Sequence, residues 1–131
     1  MIEAPAGSVI GTDIVEVDDM RRALERQPGL RTRIFTEAEW DYAANFADPL
    51  PHLAARFAAK EAVMKALGRG MDSMSFTDIE VIKDAHGAPG VVLRGRALDL
   101  ARSKGDIRWS ISLTHTRSIA HAVALATTVP A

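Results

Sequence analysis

The apolar positions of this chain follow two rhythms, one of two residues and one of three to four, and the switches between them outline its elements. Val9 to Val17 is β-branched and apolar like a strand, yet it carries Gly11 and Asp13. An aspartate there has two readings. Gly11 can mark a bulge with Asp13 bonded to nearby backbone N–H groups, or the strand presents a carboxylate to a cation. Asp18 or Asp19 can cap a helix that runs to Gln27 and stops at Pro28-Gly29. Thr36-Glu37-Ala38-Glu39 is a capping box that opens a short helix through Phe46. Asp78 to Asp84 alternates with period two, turns through Ala85–Pro89, and returns as Gly90 to Arg94. Ala97 to Lys104 is a short helix ended by Gly105. Ile107, Trp109, Ile111 and Leu113 then alternate with Arg108, Ser110, Ser112 and Thr114 up to His115, and Ala120 to Thr127 supplies a last strand.

The stretch from His52 to Gly70 breaks both rhythms. Pro51 suits a first helical position, and Gly68 supplies a residue that can turn left-handed past the end at Leu67. At about 100° per residue the apolar side chains go almost all the way round, which predicts a helix buried on most sides. Alanines 55, 59, 62 and 66 make a smooth strip that lets a sheet approach closely. Arg56, Lys60, Glu61 and Lys65 nevertheless sit in this apolar cylinder, and such charges need partners or a job. Arg56 and Lys60 share one stripe; Glu61 and Lys65 share another, about 140° round. Glu61 ahead of Lys65 is the favourable order for a surface ion pair, and that bland reading stays open beside a functional one.

The order β-ααα-ββ-α-ββ implies one α+β domain over residues 1–131, with residues 1–8 as a loose lead-in. A mostly antiparallel sheet packs on the long central helix. Hydrophobic content of 47% and charged content of 25% fit a soluble globular protein, and a net charge of -1 gives no general pull toward nucleic acid or membrane. The absence of cysteine excludes disulfides and thiolate metal sites. No signal peptide and no apolar run long enough to span a bilayer is present, so a cytoplasmic protein is expected. Arg21, Arg22, Arg26, Arg31 and Arg33 place five arginines within thirteen residues, either a solvated face or a docking surface for an acidic partner.

Asp13 and Glu61, both on rigid elements, could share a hard cation such as Mg²⁺, which takes one or two carboxylates and completes its shell with water and phosphate. Lys65, one turn beyond Glu61, would then lie near that phosphate as a point charge. His115, between Thr114 and Thr116, offers imidazole and hydroxyls for a second phosphate, or is simply a strand-end histidine. No glycine-rich phosphate loop appears, which disfavours a nucleoside triphosphatase; a diphosphate ester fits better.

Gly11-Thr12-Asp13-Ile14-Val15-Glu16-Val17, Arg56 to Gly68 (RFAAKEAVMKALG) and Ser112 to Thr116 (SLTHT) together resemble the holo-acyl-carrier-protein synthase family of 4'-phosphopantetheinyl transferases. Phe35 to Glu39 and Asp78 to Val81 match as well, so the likeness runs from about Val9 to Thr127. The resemblance implies the 4'-phosphopantetheinyl transferase fold and transfer of phosphopantetheine from coenzyme A to a serine of an apo acyl carrier protein, as in fatty acid biosynthesis. It implies a metal, Mg²⁺ with Mn²⁺ as the alternative, on Asp13 and Glu61, with Glu61 and Lys65 as catalytic residues. It also implies coenzyme contacts from Arg56, Lys60, Lys65, Gly68, His115 and Thr116, and carrier-protein contacts from Arg21, Arg22 and Arg26. The family is typically a trimer with sites between subunits, so a homo-trimer is expected, with no nucleic-acid or membrane partner. Two positions depart from the family pattern: Val9 stands where a first glycine is common, and Arg117 stands where acidic residues often follow the histidine.

Overall fold

A computed structural model describes residues 7–70 and 72–129. The elements run β1 (Ser8–Glu16), α1 (Val17–Arg26), α2 (Leu30–Ile34), α3 (Glu37–Ala43), α4 (Leu50–Leu67), a 3-10 turn (Phe76–Asp78), β2 (Ile79–Lys83), β3 (Pro89–Leu93), α5 (Gly95–Lys104), β4 (Asp106–His115) and β5 (Ile119–Val129). Most of the lead-in expected over residues 1–8 lies outside the described residues, and Ser8 already belongs to β1.

The α+β class stands, with two antiparallel sheets in place of one: β1-β5-β4 and the hairpin β2-β3. Val17 opens α1 rather than ending β1. Asp18 and Asp19 fall in its first turn, where they face the positive end of the helix dipole instead of capping it. The five-residue helix α2 has too few positions to show a period and was not expected. The capping box at Thr36 is present, with Thr36 Oγ1 accepting from Glu39 N and Glu39 Oε1 accepting from Thr36 N.

Helix α4 starts at Leu50, two residues before His52, with Pro51 in its first turn, and ends at Gly68 with φ 75°. It lies in the core, with 13 of its 18 residues buried. The sheet meets it through small side chains: Ala120, Ala122 and Ala124 of β5 are fully buried, and Ala126 nearly so. Gly11 makes no bulge. It pairs in regular register with Ala124, and its role is close approach, since a Cβ there would stand 2.0 Å from the Ala62 carbonyl oxygen. This contact fixes the height of β1 over α4. The outward face of the sheet stays bare, with Ile10 and Ile14 each 65% exposed.

Candidate active site

Because Gly11 seats β1 on α4, Asp13, two residues along on the same face, comes down beside the second half of that helix. The Lys65 ammonium donates to Asp13 Oδ1 at 3.0 Å and to the Thr12 carbonyl oxygen at 2.9 Å. Lys65 thus bonds to the strand and not to Glu61, one turn before it. Glu61 is half-buried, and its carboxyl is pushed above the usual range, first by burial and then by the charge of Asp13, with Lys65 opposing. Its side chain borders an open apolar hollow of about 350 Å³ lined by Val15, Met20, Leu30, Ile34 and Phe57. Asp13 and Lys65 border an adjoining shallow hollow with Thr12 and His121. The arrangement is two mutually repelling carboxylates and one ammonium, at the edge of the sheet.

The other stripe of α4 leads to a different place. Arg56 and His115 line a hollow of about 250 Å³ together with Tyr42, His52, Lys83 and Leu113. The Arg56 guanidinium stacks on the Tyr42 ring at 4.0 Å from its centroid, and burial draws its pKa down. His52 lies flat on Phe46 and edge-on to His115, with ring centroids 3.6 and 4.8 Å apart. Sequence spacing could not find His52, Lys83 or Tyr42, because α3, β2 and α4 meet here only in the folded chain.

Lys60 is a correction. It is fully buried, and its three N–H groups all go to the protein: Glu39 Oε1 at 2.8 Å, Phe76 O at 3.1 Å, and Ile79 O. No donor is left for a coenzyme phosphate. Glu39 is equally buried, its Oε1 also accepting from Thr36 N and its Oε2 from Val81 N at 2.8 Å. Burial pulls the Lys60 ammonium below the ordinary lysine range while Glu39 counters it. This pair ties α3 and the β2 hairpin to α4.

The chain matches the model of the 4'-phosphopantetheinyl transferase superfamily over residues 9–126. The holo-acyl-carrier-protein synthase of Caldanaerobacter subterraneus subsp. tengcongensis is 44% identical over 117 residues, 89% of this chain and 92% of that protein. The Moorella thermoacetica synthase is 47% identical over 115 residues, covering 88% and 90%. The solved ACPS–CoA complex of Chronobacterium ammoniagenes superposes with a TM-score of 0.84 at 29% identity, over 98% of this chain and 100% of that one. The chain belongs to the 4'-phosphopantetheinyl transferase superfamily.

Within this superfamily member, the remaining expected residues are dispersed. Thr116 accepts backbone N–H bonds from Ser118 and Ile119 and so shapes the β4–β5 turn, which also carries the exposed Arg117. Gly68 terminates α4. Val9 pairs with Ala126 in regular register. Arg21 bonds to Asp48 at 2.8 Å and Arg22 to Asp19, while Arg26, at the end of α1, has no carboxylate partner among the described contacts. These pairs are solvent-exposed and worth little, so their arginines can exchange partners.

Among the described residues no group of three or more His, Cys, Asp or Glu is placed to hold a metal ion. Asp13 and Glu61 nevertheless fit a hard divalent cation: an oxygen-only pair whose mutual repulsion at Glu61 is only partly offset by Lys65. No helix among the described residues is long and apolar enough to cross a membrane.

Proposed function

We propose that this protein transfers the 4'-phosphopantetheine group from coenzyme A to a serine of an apo acyl carrier protein, giving holo carrier protein and adenosine 3',5'-bisphosphate. The observation that carries this reading is the Asp13–Glu61–Lys65 cluster at the mouth of an apolar hollow, in a chain of this superfamily. A raised carboxyl makes Glu61 the group to accept the serine proton, since a base works best with its pKa near the working pH. Lys65 offsets the charge that builds on the diphosphate as the serine oxygen attacks and the bisphosphate leaves. Asp13 and Glu61 would hold Mg²⁺, or Mn²⁺ as the alternative, which when bound supplies further neutralisation of the phosphate oxygens. The apolar hollow suits the uncharged pantetheine arm, and the Arg56–His115 hollow suits the phosphates of the nucleotide end.

These two features lie on different sides of α4, and β1 and β4, on which they border, are about 10 Å apart across β5. A homo-trimer that sets the Glu61 side of one copy against the Arg56 side of the next would join them, with the bare face of Ile10, Ile14 and Leu125 as the contact. The basic end of α1, above all Arg26, would meet the acidic carrier protein, where opposite fields speed encounter. We read residues 1–131 as one transferase domain that serves fatty acid biosynthesis in the cytoplasm.

The test is intact mass spectrometry of an apo acyl carrier protein incubated with this protein, coenzyme A and Mg²⁺, with and without EDTA. A gain of one phosphopantetheine that EDTA abolishes is expected. Coenzyme binding without any gain, across several carriers, would instead make the protein a silent coenzyme-binding module.

A further inference from the structure

The five arginines of α1 and α2 stand out along the chain as a basic patch, but in the fold the carboxylates around them balance their charge. Arg21, Arg22, Arg26, Arg31 and Arg33 share their surface with Asp18, Asp19, Glu25, Glu37 and Asp48. Arg21 is held by both oxygens of Asp48, with Asp18 3.8 Å away and Glu25 acting through space. Arg22 is bonded to Asp19, and Arg31 lies over the Trp40 ring with Glu37 at 3.7 Å. Arg33 instead donates to the Gln27 side-chain oxygen at 3.2 Å, which puts it at the C-terminal end of α1 beside Arg26. Neither Arg26 nor Arg33 has a carboxylate partner among the described residues.

The two signs are therefore sorted along the helix. Asp18 and Asp19 fall in its first turn, with side chains 74% and 65% exposed and so open to a partner. Arg26 closes the last turn, about 10 Å further along the axis. The acidic end is the one beside the reacting group: Asp19 borders the same apolar hollow as Glu61, together with Met20 and Ala23. A partner that brings a serine to Glu61 lies against Asp19, and the arginines free of carboxylates are one helix length away. Exchange of ion-pair partners does not change this. The Asp19–Arg22 pair is exposed and weakly held, so a carboxylate of the partner can take Arg22, but Asp19 is then left ionised beside it. Like charges set against one another across an interface cost affinity, whereas an uncharged or basic group there does not.

Resting on the transferase reading, we infer that Asp19 is a specificity-determining residue, which selects a carrier protein whose surface next to the acceptor serine is uncharged or basic and whose acidic residues lie further off, against Arg26 and Arg33. The carrier is then recognised by the pattern of its charge and not by its net charge. A carrier that is acidic throughout gains at Arg26 and loses at Asp19, so its association depends only weakly on salt.

The experiment uses one acidic apo acyl carrier protein and a variant of it in which the carboxylate nearest the acceptor serine is changed to lysine. For wild type, Asp19→Asn and Asp19→Glu, kcat/KM for each carrier is measured at saturating coenzyme A, at low and at high salt. Affinity for each carrier, fluorescently labelled, is measured by anisotropy without coenzyme A. Wild type should prefer the lysine carrier. Asp19→Asn should raise kcat/KM and affinity for the acidic carrier roughly fivefold, the upper end for one exposed charge pair, and lose the preference for the lysine carrier. Its kcat/KM should also fall more steeply with salt. Asp19→Glu keeps the charge and should behave as wild type. KM for coenzyme A should not move in either variant, since the pantetheine arm that suits the hollow is uncharged. Unchanged or lower kcat/KM and affinity of Asp19→Asn for the acidic carrier, with wild type making holo carrier protein, would overturn the inference and leave the transferase reading standing. Tighter carrier binding by Asp19→Asn with no transfer by any of the three proteins would uphold Asp19 and sink the transferase reading. Neither binding nor transfer by any of them would sink both.

Discussion

Lys60 and Lys65 lie five residues apart on one helix, each against an acid, and they do opposite work. Lys60 is sealed from solvent, and each of its three N–H groups has an acceptor; Glu39 opposite has a donor on both oxygens. Such a set is complete and leaves nothing for a ligand. Lys65 stands 53% exposed at the sheet edge, bonded to Asp13 and Thr12, while Glu61 beside it has no hydrogen-bond or ion-pair partner among the described residues and carries a raised pKa. That second set is short of positive charge. The difference shows that a charge in an apolar helix is explained by counting its partners: a full count holds the fold, and a deficit marks where a ligand binds.

Breaking the complete set should have the largest effect. Lys60→Met leaves Glu39 ionised and buried, which is expected to lower unfolding free energy by about 4 kcal/mol in urea denaturation. Adding Glu39→Leu should recover only part of this, because Thr36 N and Val81 N then lose their acceptor.

Breaking the incomplete set should spare the fold. Glu61→Gln is expected to slow transfer by roughly a thousandfold in single-turnover assays, while coenzyme affinity changes little. Its stability should move the other way. The folded pKa of Glu61 lies above the unfolded one, so this group contributes stability at low pH that is lost as pH rises through the folded value. Ionised Glu61 therefore weakens the fold at pH 7, and a glutamine removes that burden. Wild type and variant should match in stability near pH 4 and diverge, with the variant ahead, by pH 7. The wild-type transfer rate should rise over the same span as Glu61 ionises.

Lys65→Ala should cost roughly a hundredfold in kcat/KM, with stability within about 1 kcal/mol of wild type because the Lys65 end of the pair with Asp13 is 53% exposed. The smallest effect is expected for Thr36→Ala, which removes a helix cap and a bond to Glu80 far from the Glu61 cluster. About 1 kcal/mol of stability should be lost, read by thermal unfolding, with transfer per folded molecule retained.

How much of this could be read along the chain depends on range. The Thr36 box, the left-handed stop at Gly68 and the alternation of β4 are local, and the sequence states them directly. The alanine strip of α4 and the apolar β1 announce that strand and helix touch. They do not tell that Gly11 is the contact point, since a glycine in a strand reads equally as a bulge. The two stripes of α4 separate Arg56 and Lys60 from Glu61 and Lys65, but only the fold shows Arg56 at a hollow and Lys60 sealed, because Glu39 comes from α3. His52 and Lys83 were invisible for the same reason: each is unremarkable until β2 and α4 meet over Tyr42.

The most direct test of the division is Glu61→Gln carried through two assays on one preparation, urea unfolding at pH 7 and single-turnover transfer to an apo acyl carrier protein. The account predicts a protein at least as stable as wild type that binds coenzyme A and scarcely transfers. A variant that transfers at the wild-type rate, or one that loses activity only because it has unfolded, would contradict it.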